Sequence, residues 1–113
     1  MIVRRKDAFH LSKNGVDMWV YGEGLADAAI VYQETAKGHG EEFRHHTSNF
    51  LFFIVEGSGE WVIEDEVFAV KAHDVVVVPK GKRFYYRGAL KQVCITAPAW
   101  TAEQEEHIRN LEL

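Results

Sequence analysis

Residues 50–55 are apolar at six consecutive positions (Phe, Leu, Phe, Phe, Ile, Val), and residues 75–78 are four valines in a row. A strand shows alternate side chains to opposite faces, so such runs belong to strands covered on both sides. Their shortness, their β-branched and aromatic content, and the turn residues that bound them argue against a buried helix. In a small barrel one face fills the interior. The other face must then meet a second layer or a second subunit, and a homodimer is expected on that ground.

The rest of the chain also reads as β. Candidate strands cover residues 18–21, 29–35, 50–56, 60–63, 67–70, 75–78, 83–87 and 93–96, separated by Gly, Asp, Asn and Lys-Gly breaks. Eight short strands in 113 residues describe a single all-β domain, a barrel or a sandwich. Glu56-Gly57-Ser58-Gly59 reads as a turn between two strands, and Pro79-Lys80-Gly81 ends the valine strand, since Pro cannot donate to a ladder. Glu64-Asp65-Glu66 lacks the usual hairpin glycine. His73 sits at a tight turn, and His is among the non-Gly residues that tolerate positive φ. After Pro98 the character changes. Thr101-Ala102-Glu103-Gln104 has the form of a capping box and predicts a short C-terminal α-helix over residues 102–112, packed on the barrel by Ile108 and Leu111.

The formal net charge of −4 offers no electrostatic reason for a nucleic-acid or anionic-membrane partner. The single Cys94, between Val93 and Ile95, reads as a small buried hydrophobe. No apolar run is long enough to cross a bilayer as a helix, and the residues after Arg4-Arg5-Lys6 do not form the apolar stretch of a signal peptide, so a cytoplasmic protein is expected.

Two spacing frames carry a family resemblance. The first is Gly38-x5-Arg44-x-His46-x3-Phe50-x6-Gly57, and the second is His73-x5-Pro79-x-Gly81-x2-Phe84-x3-Gly88. Together they resemble the two motifs of the cupin family. The resemblance covers residues 37–98 and implies a double-stranded β-helix, or jelly-roll barrel, over residues 16–98. It also implies a dimer, and a metal held by two His and a Glu from the first motif and a His from the second. Here those four positions read Arg44, His46, Phe50 and Phe84. A guanidinium repels a cation and two phenyl rings offer no lone pair, so no metal and no other cofactor is expected; a divalent metal would need His39, Glu34, Glu41 or Asn49 to turn inward.

Carried onto the barrel, the frame points Arg44 and His46 inward with Phe50, Phe52, Phe84 and Tyr86. That set would form an apolar pocket with a cationic corner, suited to a small anionic or aromatic organic molecule. Arg44 would grip an anion, Tyr86 would donate a hydrogen bond, and His46 is the candidate catalytic base. Three readings follow: a small-molecule-binding barrel, a metal-independent isomerase or epimerase of sugars, and a metal-dependent cupin enzyme with atypical ligands. Against them stands a packed barrel in which Phe50 and Phe84 are filler and His46 is a core histidine.

Overall fold

The computed structural model describes residues 1–22 and 26–113. Among the described residues nine strands form one curled antiparallel sheet: β1 (Phe9–Lys13), β2 (Val16–Val20), β3 (Ala29–Thr35), β4 (Glu41–His45), β5 (Asn49–Ile63), β6 (Glu66–Lys71), β7 (Val75–Val78), β8 (Phe84–Ala97) and β9 (Glu105–Asn110). The two longest strands organise the rest. β5 and β8 pair from Asn49 against Ala97 to Ile63 against Phe84. Residues 90–96 of β8 carry β3 on their other side, with β2 and β1 beyond it, while residues 50–53 of β5 carry β7. At the opposite ends of the same pair, β6 adds to residues 58–63 of β5, and β4 followed by β9 joins β8 at Phe84. Two layers are thus drawn from one pair of bent strands. The interior between them holds Phe52, Ile54, Trp61, Phe84 and Tyr86, all nearly inaccessible to solvent. Among the described residues no helix is long and apolar enough to cross a membrane.

Several sequence expectations hold to the residue, notably the strands at 29–35 and 75–78. Others need correction. Residues 56–59 are not a turn: β5 runs through them, and residues 50–56 and 60–63 are one strand with an irregularity between Ile54 and Glu56. Residues 83–87 and 93–96 likewise merge into β8. The glycines serve a close approach of two backbones rather than a loop. A Cβ on Gly57 would lie 2.1 Å from the Ala89 carbonyl oxygen, at φ +97°, and one on Gly59 would lie 2.3 Å from that of Arg87.

The expected C-terminal helix is also absent. A single 3-10 turn spans Ala102–Gln104, Thr101 makes no side-chain cap, and β9 follows it, paired antiparallel with β4. The competing interaction is the open edge of β4, whose carboxylates meet cations on the tail. Arg109 Nε donates to Glu42 Oε1 at 2.8 Å, and Arg83 donates to the other oxygen of this buried carboxylate at 3.0 Å. Ladder hydrogen bonds together with buried, charge-assisted pairing outweigh the helix signal of residues 101–104. The β5–β6 hairpin turns without glycine, with Glu64 and Asp65 both at positive φ. Arg83 bonds both side chains, at 3.2 and 3.0 Å, which offsets the conformational cost. His73 has φ +75°, as expected of a non-glycine turn residue.

The glycine contact leads to a direct expectation. Gly57→Ala forces a backbone clash at positive φ and should destabilise the fold by about 2–4 kcal/mol, measured as a drop in urea midpoint. A change of a few tenths would show that β5 and β8 tolerate separation at the bend.

Candidate functional site

The layers enclose one end of the barrel as a cavity of about 230 Å³, a little below the volume of ordinary ligand pockets (about 300–1,000 Å³). Its apolar wall comes from Leu11, Met18, Val20 and Val31 on β1–β3, and from Phe43, Phe50 and Phe52 on β4 and β5. The polar groups that reach it are Lys13, Gln33, His39, Glu41, Tyr86, Thr96 and Glu105. Trp100 closes the rim, its Nε1 donating to Glu105 Oε1 at 3.1 Å and its backbone N–H donating to Thr96 Oγ1. A larger groove of about 660 Å³ lies outside the barrel between Asp17, Glu34, Glu56 and Lys91. It is open to solvent, and Glu56 and Lys91 pair across it at 3.3 Å, so it lacks the enclosure a selective site needs.

His39 is placed by its neighbour. Gly38 has φ +116°, and a Cβ there would lie 2.3 Å from the Tyr86 carbonyl oxygen. The chain therefore runs hard against β8, and the His39 N–H donates to that same carbonyl at 2.9 Å. The His39 ring sits between Phe43 and Tyr86, with centroids 5.1 and 5.6 Å away. Its Nδ1 is 2.7 Å from the Glu41 carbonyl oxygen. A carbonyl only accepts, so Nδ1 carries the proton and Nε2 keeps its lone pair. Among the described residues Nε2 has no partner and is open to the cavity. Burial lowers the His39 pKa from its ordinary 6.5; the hydrogen bond to Glu41 and that residue's charge oppose the shift, and Lys13 adds to it. A neutral imidazole with a free lone pair is thus held, itself buried, at the wall of a mostly apolar cavity.

Glu41 lines the same wall, and its carboxylate is held from outside by Asn14 Nδ2 at 3.0 Å and His107 Nδ1 at 2.6 Å. Tyr86 stacks on Trp61 (4.5 Å, 19°) and donates from its hydroxyl to Gln33 Oε1 at 3.1 Å. Burial drives its pKa up, with the nearby Cys94 adding and a hydrogen bond from Gln92 opposing. Cys94 itself is buried and its thiol is pushed up by burial alone, so it is an inert wall residue.

The sequence-derived pocket is only partly assembled. Phe50, Phe52 and Tyr86 line the cavity, and Phe84 packs behind Phe43, Phe50 and Phe52 at ring distances of 4.6–5.8 Å. Arg44 and His46, however, are on the outer wall, both turned to Glu106 of β9 at 3.7 and 3.0 Å. The assignment of His46 as base and Arg44 as anion clamp is corrected accordingly. Alternation within β4 is as expected, but Glu41, Phe43 and His45 take the inner face. Residues 46 and 47 form a bend and residue 48 is irregular, and such a break does not transmit strand parity from Phe50 back to His46. His45 is the buried structural histidine: its Nδ1 accepts from the Ser48 N–H at 2.9 Å and its Nε2 donates to the Thr101 carbonyl at 3.0 Å. Lys13, Gln33 and Glu105 were not assigned to the pocket by sequence, and His39 and Glu41 were named only as residues that would have to turn inward to hold a metal. Gly38 preceding His39 was the one available signal, since a glycine beside a histidine permits such a close backbone approach.

A family model described as "Cupin domain" matches residues 31–95, more than half the chain. The protein belongs to the cupin family. No curated protein matches the chain. Among solved structures, a tyrosine-to-phenylalanine variant of Streptomyces PAC13 with uridine is 28% identical, with a TM-score of 0.96 over 99% of this chain and 93% of that one. A second structure of Pac13, with the same scores, is described as that of a unique nucleoside dehydratase. KdgF from Halomonas shares the fold at 14% identity (TM-score 0.75, 91% of this chain and 96% of that one). Many cupins hold a metal, and the donor set here does not fit one. Phe50 and Phe84 occupy two of the usual ligand positions, Arg44 and His46 face outward, and no three His, Cys, Asp or Glu residues converge among the described residues.

The His39 environment sets a pH dependence of stability. Its folded value lies below that of the unfolded chain, so as pH falls the unfolded chain takes up the proton first. The stability that neutral His39 contributes is complete above about pH 6.5 and declines as pH falls toward the lowered value. Urea midpoints measured from about pH 8 down to about pH 5 should therefore fall less steeply in His39→Gln than in the parent chain. Parallel curves would mean that His39 is protonated as easily in the folded state as in the unfolded one.

Proposed function

We propose that this cupin is an enzyme that eliminates water from a small nucleoside-like substrate by acid–base chemistry, without a metal. The observation that carries the reading is His39, neutral and buried, with the Nε2 lone pair open to the cavity. Similarity to the nucleoside dehydratase Pac13 supports it residue by residue. The Pac13 variants solved with uridine replace a histidine and two tyrosines, separated by 13 and then 34 residues. The same spacings lead here from His39 to Phe52 and from Phe52 to Tyr86, and all three line the cavity. The histidine and the second tyrosine are kept. Phe52 stands at the first tyrosine's place, so this chain works without that hydroxyl and contacts its substrate there through an apolar ring.

In this reading His39 Nε2 takes a proton from a carbon of the substrate. The C–H electron pair becomes a C=C bond as the neighbouring C–O bond breaks, and the departing hydroxide leaves as water with a proton returned from the imidazolium. An imidazole removes such a proton only where a carbonyl acidifies it, so the substrate should carry one next to that carbon. Lys13 supplies the cavity's cation, the role that Arg44 does not fill. The test is incubation with uridine and with its oxidised, carbonyl-bearing derivatives, followed by mass spectrometry for loss of one water. His39→Gln should lower kcat by about 10²–10⁴-fold while substrate affinity changes little. Binding with no turnover in the parent chain would reduce the function to that of a binding barrel.

We also infer that the outer face of the β3–β8–β5–β7 layer is covered by a second copy of the chain. Pairing sets Ile30, Ile95, Leu51 and Val77 in one row and Tyr32, Val93, Phe53 and Val75 in the next. Neither row carries a charge, and Phe53, Val75 and Val77 are 42–58% exposed in the single chain. A face whose rows are uncharged from edge to edge can be shared about a two-fold axis, each row meeting its equivalent. Sedimentation at micromolar concentration should show a dimer for the parent chain and a folded monomer for Val75→Asp. A monomeric parent chain would refute this assignment.

A further inference from the structure

We propose that Gln33 determines substrate specificity by donating a hydrogen bond to a carbonyl oxygen of the ligand, an inference that rests on the barrel cavity being the ligand site proposed above. Gln33 on β3 faces Gln92 on β8 in direct register. Its oxygen is fully engaged: it accepts from Gln92 Nε2 at 2.7 Å and from the Tyr86 hydroxyl at 3.1 Å. With its oxygen so held, the amide has one orientation. Turning Gln33 alone would set its NH2 against that of Gln92. Turning both amides would leave the Gln92 NH2 buried without an acceptor, where now a carbonyl oxygen is the unpaired atom. Orphaned buried donors are the rarer state, so the network keeps the Gln33 NH2 pointing away from Tyr86 and Gln92.

Among the described residues the Gln33 Nε2 has no partner, and the residue borders the cavity. An amide nitrogen offers two donors and no lone pair. It therefore selects an acceptor, and the row beside it, Val31, Cys94 and Phe52 in strand register, is apolar. The groups of opposite character come from elsewhere in the wall: His39 Nε2 and the carboxylates of Glu41 and Glu105 accept. The cavity thus offers acceptors near β4 and β9, with the Lys13 cation close to His39, and a neutral donor at β3. A molecule with hydroxyls at one end and a ring carbonyl at the other satisfies both sides. A nucleoside whose base carries a carbonyl, or a simpler hydroxylated cyclic amide, has this form. A plain sugar meets the Gln33 donor only with a hydroxyl or ring oxygen, a weaker acceptor than an amide carbonyl, which costs affinity.

Calorimetric titration with uridine, with 2-pyridone and with the C-phenyl riboside (which lacks the carbonyl) tests the assignment. Two variants are used. Gln33→Glu keeps an oxygen for Tyr86 and Gln92 and removes the NH2, and Gln33→Met removes every polar atom. Both should weaken uridine and 2-pyridone by about 10-fold or more and leave the C-phenyl riboside unchanged. Equal binding of uridine to the parent chain and both variants overturns the role of Gln33 while leaving the nucleoside reading in place. If 2-pyridone binds in a Gln33-dependent way and uridine does not bind, the role of Gln33 stands and the nucleoside reading falls. Failure of both probes to bind the parent chain overturns both. Should the variants not fold, a crystal of the parent chain soaked with 2-pyridone decides the matter: a carbonyl oxygen within about 3.2 Å of Gln33 Nε2 supports the assignment, and a greater separation overturns it.

Discussion

The pairing of β5 with β8 is the constraint on which the rest depends. Every other strand except β1, which joins through β2, attaches to one of these two strands or to a neighbour of one, and both strands pass through both layers. The bend that lets them do so needs backbones in contact at Gly57, Gly59 and Gly88. Further along β8, the carbonyl of Tyr86 receives the His39 N–H because Gly38 allows the same kind of approach. One device, glycine against a neighbouring backbone, both closes the barrel and presents its histidine.

The cavity that results is unlike the usual metal-binding interior of this family. Aromatic rings take the space of two ligands, and the polar groups are distributed around the wall instead of converging on a point. In the function proposed above, such an arrangement meets an organic molecule with distinct ends. The hydrogen bond from His39 Nδ1 to the Glu41 carbonyl fixes the tautomer, so Nε2 keeps its lone pair without an orienting carboxylate. Tyr86 is held in a similar way, through Gln33 and against Trp61. Rigid placement by backbone and amide partners is what a site needs if it has no metal to orient its substrate.

How much of this was legible beforehand differs by level. The strands at 29–35 and 75–78 and the all-β class followed from β-branched runs and turn residues, which are local signals. The merging of 50–56 with 60–63 was hidden because a glycine-rich stretch looks the same whether it turns or runs flat against another strand. The C-terminal segment carried a helix-start signal that lost to the edge of β4, an outcome set by Glu42 and Arg109 across 67 positions. In the site, Phe50, Phe52 and Tyr86 were found because spacing within one strand determines which side chains share a face. Arg44 and His46 were misplaced because that rule stops at the break of residues 46–48.

By itself, then, the sequence determined the class of fold, the strands that are apolar on both faces, and the family resemblance, since these rest on alternation and on turn residues close together in the chain. Only the tertiary structure decided which face of β4 looks inward, that the tail adds a strand, and that His39, Gln33 and Tyr86 share one cavity. Those outcomes depend on contacts between residues far apart in the chain, where competing hydrogen bonds and ion pairs overrule the local preference.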